Sequence, residues 1–234
     1  MCQANKVKTR LLAHIQEMSK AMNRQSKFAS IYKDHEWGST SRSGPGSELF
    51  RLKEYVDCLE KVVAREDIQS VVDIGCGDWS FSRNVDWSRV DYTGVDIVPS
   101  LSEELNREHG SDKMRFACAD LTSDELPSAD LCICKDVLQH LSNESVQKFL
   151  SGNLKRYRYA LLTNDYRKMK RNRFSVFGTM REFQEPNSET VDGGSRPIRL
   201  TEEPFNLPAE QLVLFDMQIG RTLFTKETLL WTRE

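Results

Sequence analysis

The stretch Val71-Val72-Asp73-Ile74-Gly75-Cys76-Gly77-Asp78 decides the fold class. An apolar run feeding a tight glycine turn is how a parallel α/β sheet ends a strand, and the glycines let backbone approach a ligand closely. Two further acidic positions fall in step with it, Asp96 in Gly94-Val95-Asp96-Ile97 and Asp120 in Ala119-Asp120-Leu121. Each follows another apolar run. The carboxylates are therefore expected on one rim of the sheet, where such folds hold a nucleoside-containing ligand.

Outward from this stretch the chain alternates. Strands are expected at about Ser70–Ile74, Asp91–Asp96, Met114–Cys118, Leu131–Lys135 and Tyr159–Thr163, with helical stretches between them at Ser80–Asn84 and Ser142–Lys155. Strands separated by helices imply right-handed crossovers and a mostly parallel, doubly wound sheet. Leu212–Ile219 and Thr228–Thr232 close the chain as two more strands. Gly220–Glu227 leaves no room for a helix between them, so they are read as an antiparallel hairpin at the sheet edge, seven strands in all. Asn164–Pro208 lacks clear periodicity and reads as a functional loop or a carrier of short elements.

Upstream, Leu11, Leu12, Ile15, Met18 and Met22 recur at helical spacing among Lys and Arg, the pattern of an amphipathic helix packed on a body. Trp37-Gly38-Ser39-Thr40-Ser41-Arg42-Ser43-Gly44-Pro45-Gly46-Ser47 is too rich in turn formers for regular structure. Leu49–Ala64 reads as a helix with Leu52, Tyr55, Val56, Leu59, Val62 and Val63 on one side and Ser47 as N-cap. The chain thus divides into an N-terminal helix and loop over 1–48 and an α/β domain over 49–234, with 164–208 as an insertion in it.

At 234 residues and 38% hydrophobic content the chain suits one generous domain. A formal charge of −2, from 33 basic and 35 acidic side chains, excludes a global field that would gather nucleic acid or an anionic membrane. No apolar run approaches a membrane span, and a cytoplasmic protein is expected. Cys76, Cys118, Cys132 and Cys134 lie in apolar or strand-like runs and read as buried free thiols. Cys132 and Cys134 share a sheet face but lack further ligands nearby for a metal.

These residues resemble the class I S-adenosylmethionine-dependent methyltransferases, from about Ser70 to the final hairpin. Asp73, Gly75 and Gly77 look like the family's Asp-x-Gly-x-Gly turn. The resemblance implies a Rossmann-like fold and S-adenosyl-L-methionine as cofactor, with the glycine turn beside its methionine part and Asp73 ordering the loop or bonding the amino group through water. It implies that Asp96, with Ile97 after it, accepts both ribose hydroxyls, and that Asp120 with Leu121 recognises the adenine. The sequence departs from the family's fuller glycine pattern at Trp79. A nicotinamide dehydrogenase would show Gly-x-Gly-x-x-Gly, whereas Ser80 stands three after Gly77. The Trp37-Gly38 and Ser41-x-Ser43-Gly44-Pro45-Gly46-Ser47 segment, with Lys135-Asp136-Val137-Leu138-Gln139-His140-Leu141 and Pro204-Phe205-x-Leu207-Pro208, is similar to a little-described bacterial branch of this family. Trp37, Ser43 and Lys135 join the expected cofactor contacts on that likeness, the loop folding over the methionine end.

Transfer from a sulfonium needs alignment of the acceptor and removal of its proton where it has one. His140 is the candidate base, since its ordinary pKa lies near neutrality; a helix residue bonded to nearby backbone is the competing account. Lys135-Asp136-Val137-Leu138 lacks the Asn/Asp-Pro-Pro-aromatic clamp that many base-modifying relatives carry at this point. The cluster Arg167, Lys168, Lys170, Arg171 and Arg173 could bind RNA, hold an anionic group of a small acceptor, or form a solvated face. Asp136, Asn164 and Asp165 loosely resemble a magnesium set, but no metal is expected. Tyr166, Phe174, Phe177, Phe183 and Phe205 could wall an acceptor pocket or form the core of a lid. The preferred function is methyl transfer to a hydroxyl or acidic group of a small molecule. RNA or protein methylation and a non-catalytic cofactor-binding partner are the alternatives.

Overall fold

The computed structural model of the chain describes residues 2–38, 40–171 and 180–233, with side chains from residue 18 onward except that of residue 171. Apolar runs form the strands β1 (Ser70–Ile74), β2 (Asp91–Asp96), β3 (Met114–Cys118), β4 (Ala129–Lys135), β5 (Tyr157–Arg171), β6 (Met180–Glu182), β7 (Ala209–Ile219) and β8 (Thr222–Thr232). Their order is β3-β2-β1-β4-β5-β8-β7, with β6 paired to β5 off this path, so the sheet has eight strands rather than seven. The first five pair in parallel in the expected register, Asp73 lying beside Gly94 and Ile133. The last pair is the expected antiparallel hairpin at the sheet edge, with β7 outermost and β8 between it and β5.

The hairpin differs most from expectation. Gly220 and Arg221 alone connect β7 to β8, and Gly220 adopts φ +56°, the left-handed geometry a two-residue turn demands. Thr222–Glu227 is strand, although its Thr and Lys residues obscure that reading. Likewise β5 runs on to Arg171, eight residues beyond Thr163.

Among the described residues four helices accompany the sheet: α1 (Cys2–Lys33), α2 (Lys53–Val63), α3 (Pro99–His109) and α4 (Asn143–Ser151). Between α1 and α2, two short 3-10 turns occupy Pro45–Ser47 and Leu49–Arg51. Leu52, not Ser47, therefore stands at the N-cap of α2, without a side-chain bond. The expected Ser142–Lys155 helix breaks at Gly152, α4 being capped by the Ser142 hydroxyl, which accepts from the Ser145 N–H at 3.2 Å. Ser80–Asn84 is only a 3-10 turn over its last three residues.

Two apolar layers bury the sheet's faces. One gathers Ile31, Val72, Ile74, Cys132, Cys134, Phe149 and Leu162; the other gathers Tyr55, Leu59, Val71, Trp79, Tyr92 and Leu131. Cys132 and Cys134 share the first layer as alternation requires, whereas Cys118 is exposed at the end of an outer strand. Met18 and Met22 do not pack as expected but are exposed. Among the described side chains of α1, those buried against the body are Arg24, Phe28, Ile31 and Tyr32, a face rotated from the methionines. The side chains of Leu11, Leu12 and Ile15 lie outside the described residues, as do Arg173, Phe174 and Phe177.

Candidate functional site

A cavity of about 300 Å³ opens at the carboxyl ends of the parallel strands, lined by Trp37, Ser43, Asp73, Gly75, Asp96, Ile97, Asp120, Leu121, Lys135 and His140. Ten of the eleven positions singled out in the sequence thus border one space. The eleventh, Gly77, lies under the N-terminal segment at φ +57°. A Cβ there would run into the Ser43 hydroxyl and come within 2.6 Å of the Tyr32 hydroxyl. Gly75, at φ +70°, likewise has no room for a Cβ, because Val137 packs against it.

Asp96 and Asp73 are both buried yet differ in role. The Asp96 Oδ2 accepts the Gly77 N–H at 3.0 Å and its Oδ1 accepts the Val98 N–H at 3.0 Å. Burial pushes its pKa up to about 6 against the pull of those N–H groups. Each oxygen keeps a further lone pair, so the carboxylate offers two adjacent acceptors to a diol. Asp73 accepts the Tyr92 hydroxyl at 2.6 Å, and burial raises it to about 6 as well. It braces the turn from behind.

Asp120 is shared. Its Oδ1 accepts the Thr122 N–H and hydroxyl at 2.8 Å each, and its Oδ2 takes the Arg24 guanidinium. Arg24 also donates to Asp192 at 2.8 Å. The guanidinium therefore ties α1, the end of β3 and the segment after β6 together. Helical periodicity gave no signal for Arg24, because a lone basic residue on a basic helix resembles its solvated neighbours.

The serine- and glycine-rich loop closes on the glycine turn through Asp78. That carboxylate accepts the Ser41 hydroxyl and the Ser43 hydroxyl at 2.9 Å each and the Arg42 N–H at 2.7 Å. Burial would raise its pKa, but these donors outweigh it and hold the carboxyl below its usual range. Trp37 stands edge-on to Phe28 and Tyr32 and stacks on His140, with ring centroids 5.0 Å apart.

His140 follows β4 on a short 3-10 turn, not a full helix. Its Nδ1 lies 2.7 Å from the Gly194 carbonyl, which can only accept, so Nδ1 carries the proton and Nε2 keeps a lone pair, toward which the Gln139 side-chain amide donates at 3.4 Å. Burial lowers its pKa and keeps the ring neutral. The segment after β6 holds this turn in place. Gly193 N–H donates to the His140 carbonyl at 2.8 Å, and Arg196 N–H to that of Gln139 at 3.2 Å.

At the far end of the cavity lies a buried charge network. Lys135 donates to the Gly46 carbonyl at 2.8 Å and to Asp136 at 2.6 Å. Lys226 bridges Asp136 at 2.5 Å and Asp165 at 2.6 Å, while Lys168 reaches Ser195 at 2.6 Å and Asp165 at 3.3 Å. Lysines 135 and 226 hold Asp136 well below the usual carboxylate range despite its burial. The Lys226 ammonium thus occupies the space between Asp136 and Asp165, where the magnesium comparison had put a cation. Asn164 is on the other side of the strand from Asp165, as alternation requires, and no group of three metal-ligating side chains occurs among the described residues.

Among the described side chains of the basic run, exposure differs from residue to residue. Arg167, Lys168 and Lys170 belong to β5 instead of a loop; Lys168 is buried and Lys170 exposed. Of the late aromatics, Tyr166 lies under Arg199, Phe183 faces Lys170 and Phe205 joins the core. The cavity is walled by Phe28, Tyr32, Trp37, Phe81 and Phe224 instead.

Residues 71–156 match the family model of a methyltransferase domain. No curated protein matches the chain in sequence. Among solved structures the chain is similar to YcgJ from Bacillus subtilis, at 16% identity over 78% of this chain and 99% of that one, with a TM-score of 0.55. It is similar to magnesium protoporphyrin IX methyltransferase from Synechocystis PCC 6803 with bound SAM, at 17% identity over 91% and 97%, with a TM-score of 0.54. It is also similar to PigF with SAH, at 13% identity over 78% of this chain and a TM-score of 0.51, and it spans 55% of that protein's chain. Residues 71–156 thus match a methyltransferase domain, and the chain shares the Rossmann-like architecture of these structures.

Proposed function

We propose that the protein binds S-adenosylmethionine at Asp96, Asp120 and the glycine turn, and transfers its methyl group to a hydroxyl or acidic group of a small molecule. The observation that carries this reading is a single cavity bordered by all three elements and by His140. The residues fit the donor. Asp96 keeps two open acceptor positions for the ribose hydroxyls, Asp120 and Leu121 border the space for the adenine, and Gly75 leaves backbone bare where the methionine part passes.

When bound, the donor supplies an activated sulfonium methyl, so the chain's own residues have to align an acceptor opposite it. His140 takes the proton of a hydroxyl acceptor on Nε2 as the new bond forms, its ring oriented by Gly194 and Trp37. The Ser41–Ser47 loop covers the donor, and residues 164–208 form the acceptor side, holding the His140 turn through Gly193 and Arg196. Enclosure by these two segments favours a small acceptor over an RNA.

Incubation with methyl-labelled donor and a fractionated cell extract tests the reading. Label in the small-molecule fraction, lost in Asp96→Ala, is expected. Label in the RNA or protein fraction would overturn the acceptor class, and donor binding without any labelled product would favour the non-catalytic partner.

A further inference from the structure

The charge network has a sign. Lys135, Lys168 and Lys226 contribute three positive charges and Asp136 and Asp165 two negative ones, so the five groups carry one net positive charge in a largely buried setting. The part of the cavity after β1 and β2 is acidic, with Asp78 and Asp96 on its walls, and Asp73 stands between the two groups within electrostatic reach of Lys135. A cationic sulfonium suits the acidic end. The other end is left with a surplus positive charge that burial makes costly unless an anion joins it.

Lys226 is the group positioned to receive that anion. It lines the cavity, and Asp136 and Asp165 use two of its three N–H donors. Met217 and Phe224, paired across β7 and β8, stand beside it with Ile219 and form an apolar wall. We propose that the acceptor is an apolar monocarboxylate whose carboxylate docks on the Lys226 ammonium, with its body against Met217, Ile219 and Phe224. This rests on the cavity being the methyl-transfer site, and it adds the acceptor's charge and shape.

Calorimetry with benzoate and its uncharged isostere benzamide tests the idea, on the free protein and on protein saturated with S-adenosylhomocysteine. Benzoate should bind at least about tenfold more tightly than benzamide in both forms, as expected for a charge-assisted contact. Lys168→Gln, which brings the network to neutrality, should reduce that preference. Asp165→Asn, which brings it to two net positive charges, should increase it, provided circular dichroism shows each variant folded. Equal binding of the two probes overturns the proposal, and so does a preference unmoved by either variant. A preference that vanishes once S-adenosylhomocysteine is bound also overturns it, because the ammonium would then belong to the donor's own carboxylate. Titration of S-adenosylhomocysteine alone tests the donor site separately.

Discussion

The Ser43 hydroxyl lies 2.9 Å from the Asp78 carboxylate, and through that bond the N-terminal loop is fastened to the glycine turn at the end of the first strand. Ser41 and the Arg42 N–H share the same carboxylate. One acid therefore holds the cover over the donor end of the cavity.

Asp78→Ala leaves three buried or half-buried donors without their acceptor, at about 1–3 kcal/mol for each that finds no water. The loop should loosen before the fold fails. We expect weaker binding of S-adenosylhomocysteine and faster tryptic cleavage at Arg42, both measured against an unchanged melting profile of the sheet.

The two carboxyls raised to about 6 make stability and donor binding depend on pH in opposite senses. The folded state holds their protons more tightly than the unfolded chain does. The stability they contribute is therefore complete below about pH 4 and is lost as pH rises through about 6. For Asp73 this amounts to about 2–3 kcal/mol. Urea midpoints at pH 5 and 7.5 should show a larger drop for the wild type than for Asp73→Asn. Donor affinity should move the other way, because protonated Asp96 loses an acceptor, and should fall as pH drops through 6.

Arg24 is bonded to Asp120 and Asp192 with its side chain almost fully buried. Arg24→Met leaves two carboxylates facing each other without their cation, at a cost of about 3–5 kcal/mol. Neutralising both partners as Asp120→Asn with Asp192→Asn in the Met background should recover a large part of that loss in chemical denaturation.

Gly75→Ala places a Cβ against Val137 at a backbone angle of φ +70°. Strain of about 1–3 kcal/mol is expected. Adding Val137→Ala should relieve the clash but not the angle, so thermal melts should show partial rescue.

How far the sequence can be read depends on how local the signal is. The strands β1 to β4 are legible because each is an apolar run ended by a turn or an acid, and the register that brings Asp73, Asp96 and Asp120 to one rim follows from parallel pairing. The start of β8 is not legible, since Thr222, Thr225, Lys226 and Glu227 break its apolar pattern. Yet Thr225, Lys226 and Glu227 are buried, and the polar atoms of Thr225 and Lys226 meet partners on β5, on β7 and on the loop after β4. Arg24, Asp192 and Lys226 are invisible for a related reason: each acquires its role from a partner more than 60 residues away. His140 and Asp136 show the middle case, in which the position after β4 marks a site but the neighbours Gly194 and Lys226 decide its chemistry.

The account stands on Asp96 taking the ribose of the donor within the shared cavity. Calorimetric titration of S-adenosylhomocysteine into the wild type and into Asp96→Ala measures this directly. One site per chain is expected, with a loss of about 1–3 kcal/mol in the variant for the unpaired hydroxyls. Absence of binding to the folded wild type, or equal affinity in the two proteins, would contradict it.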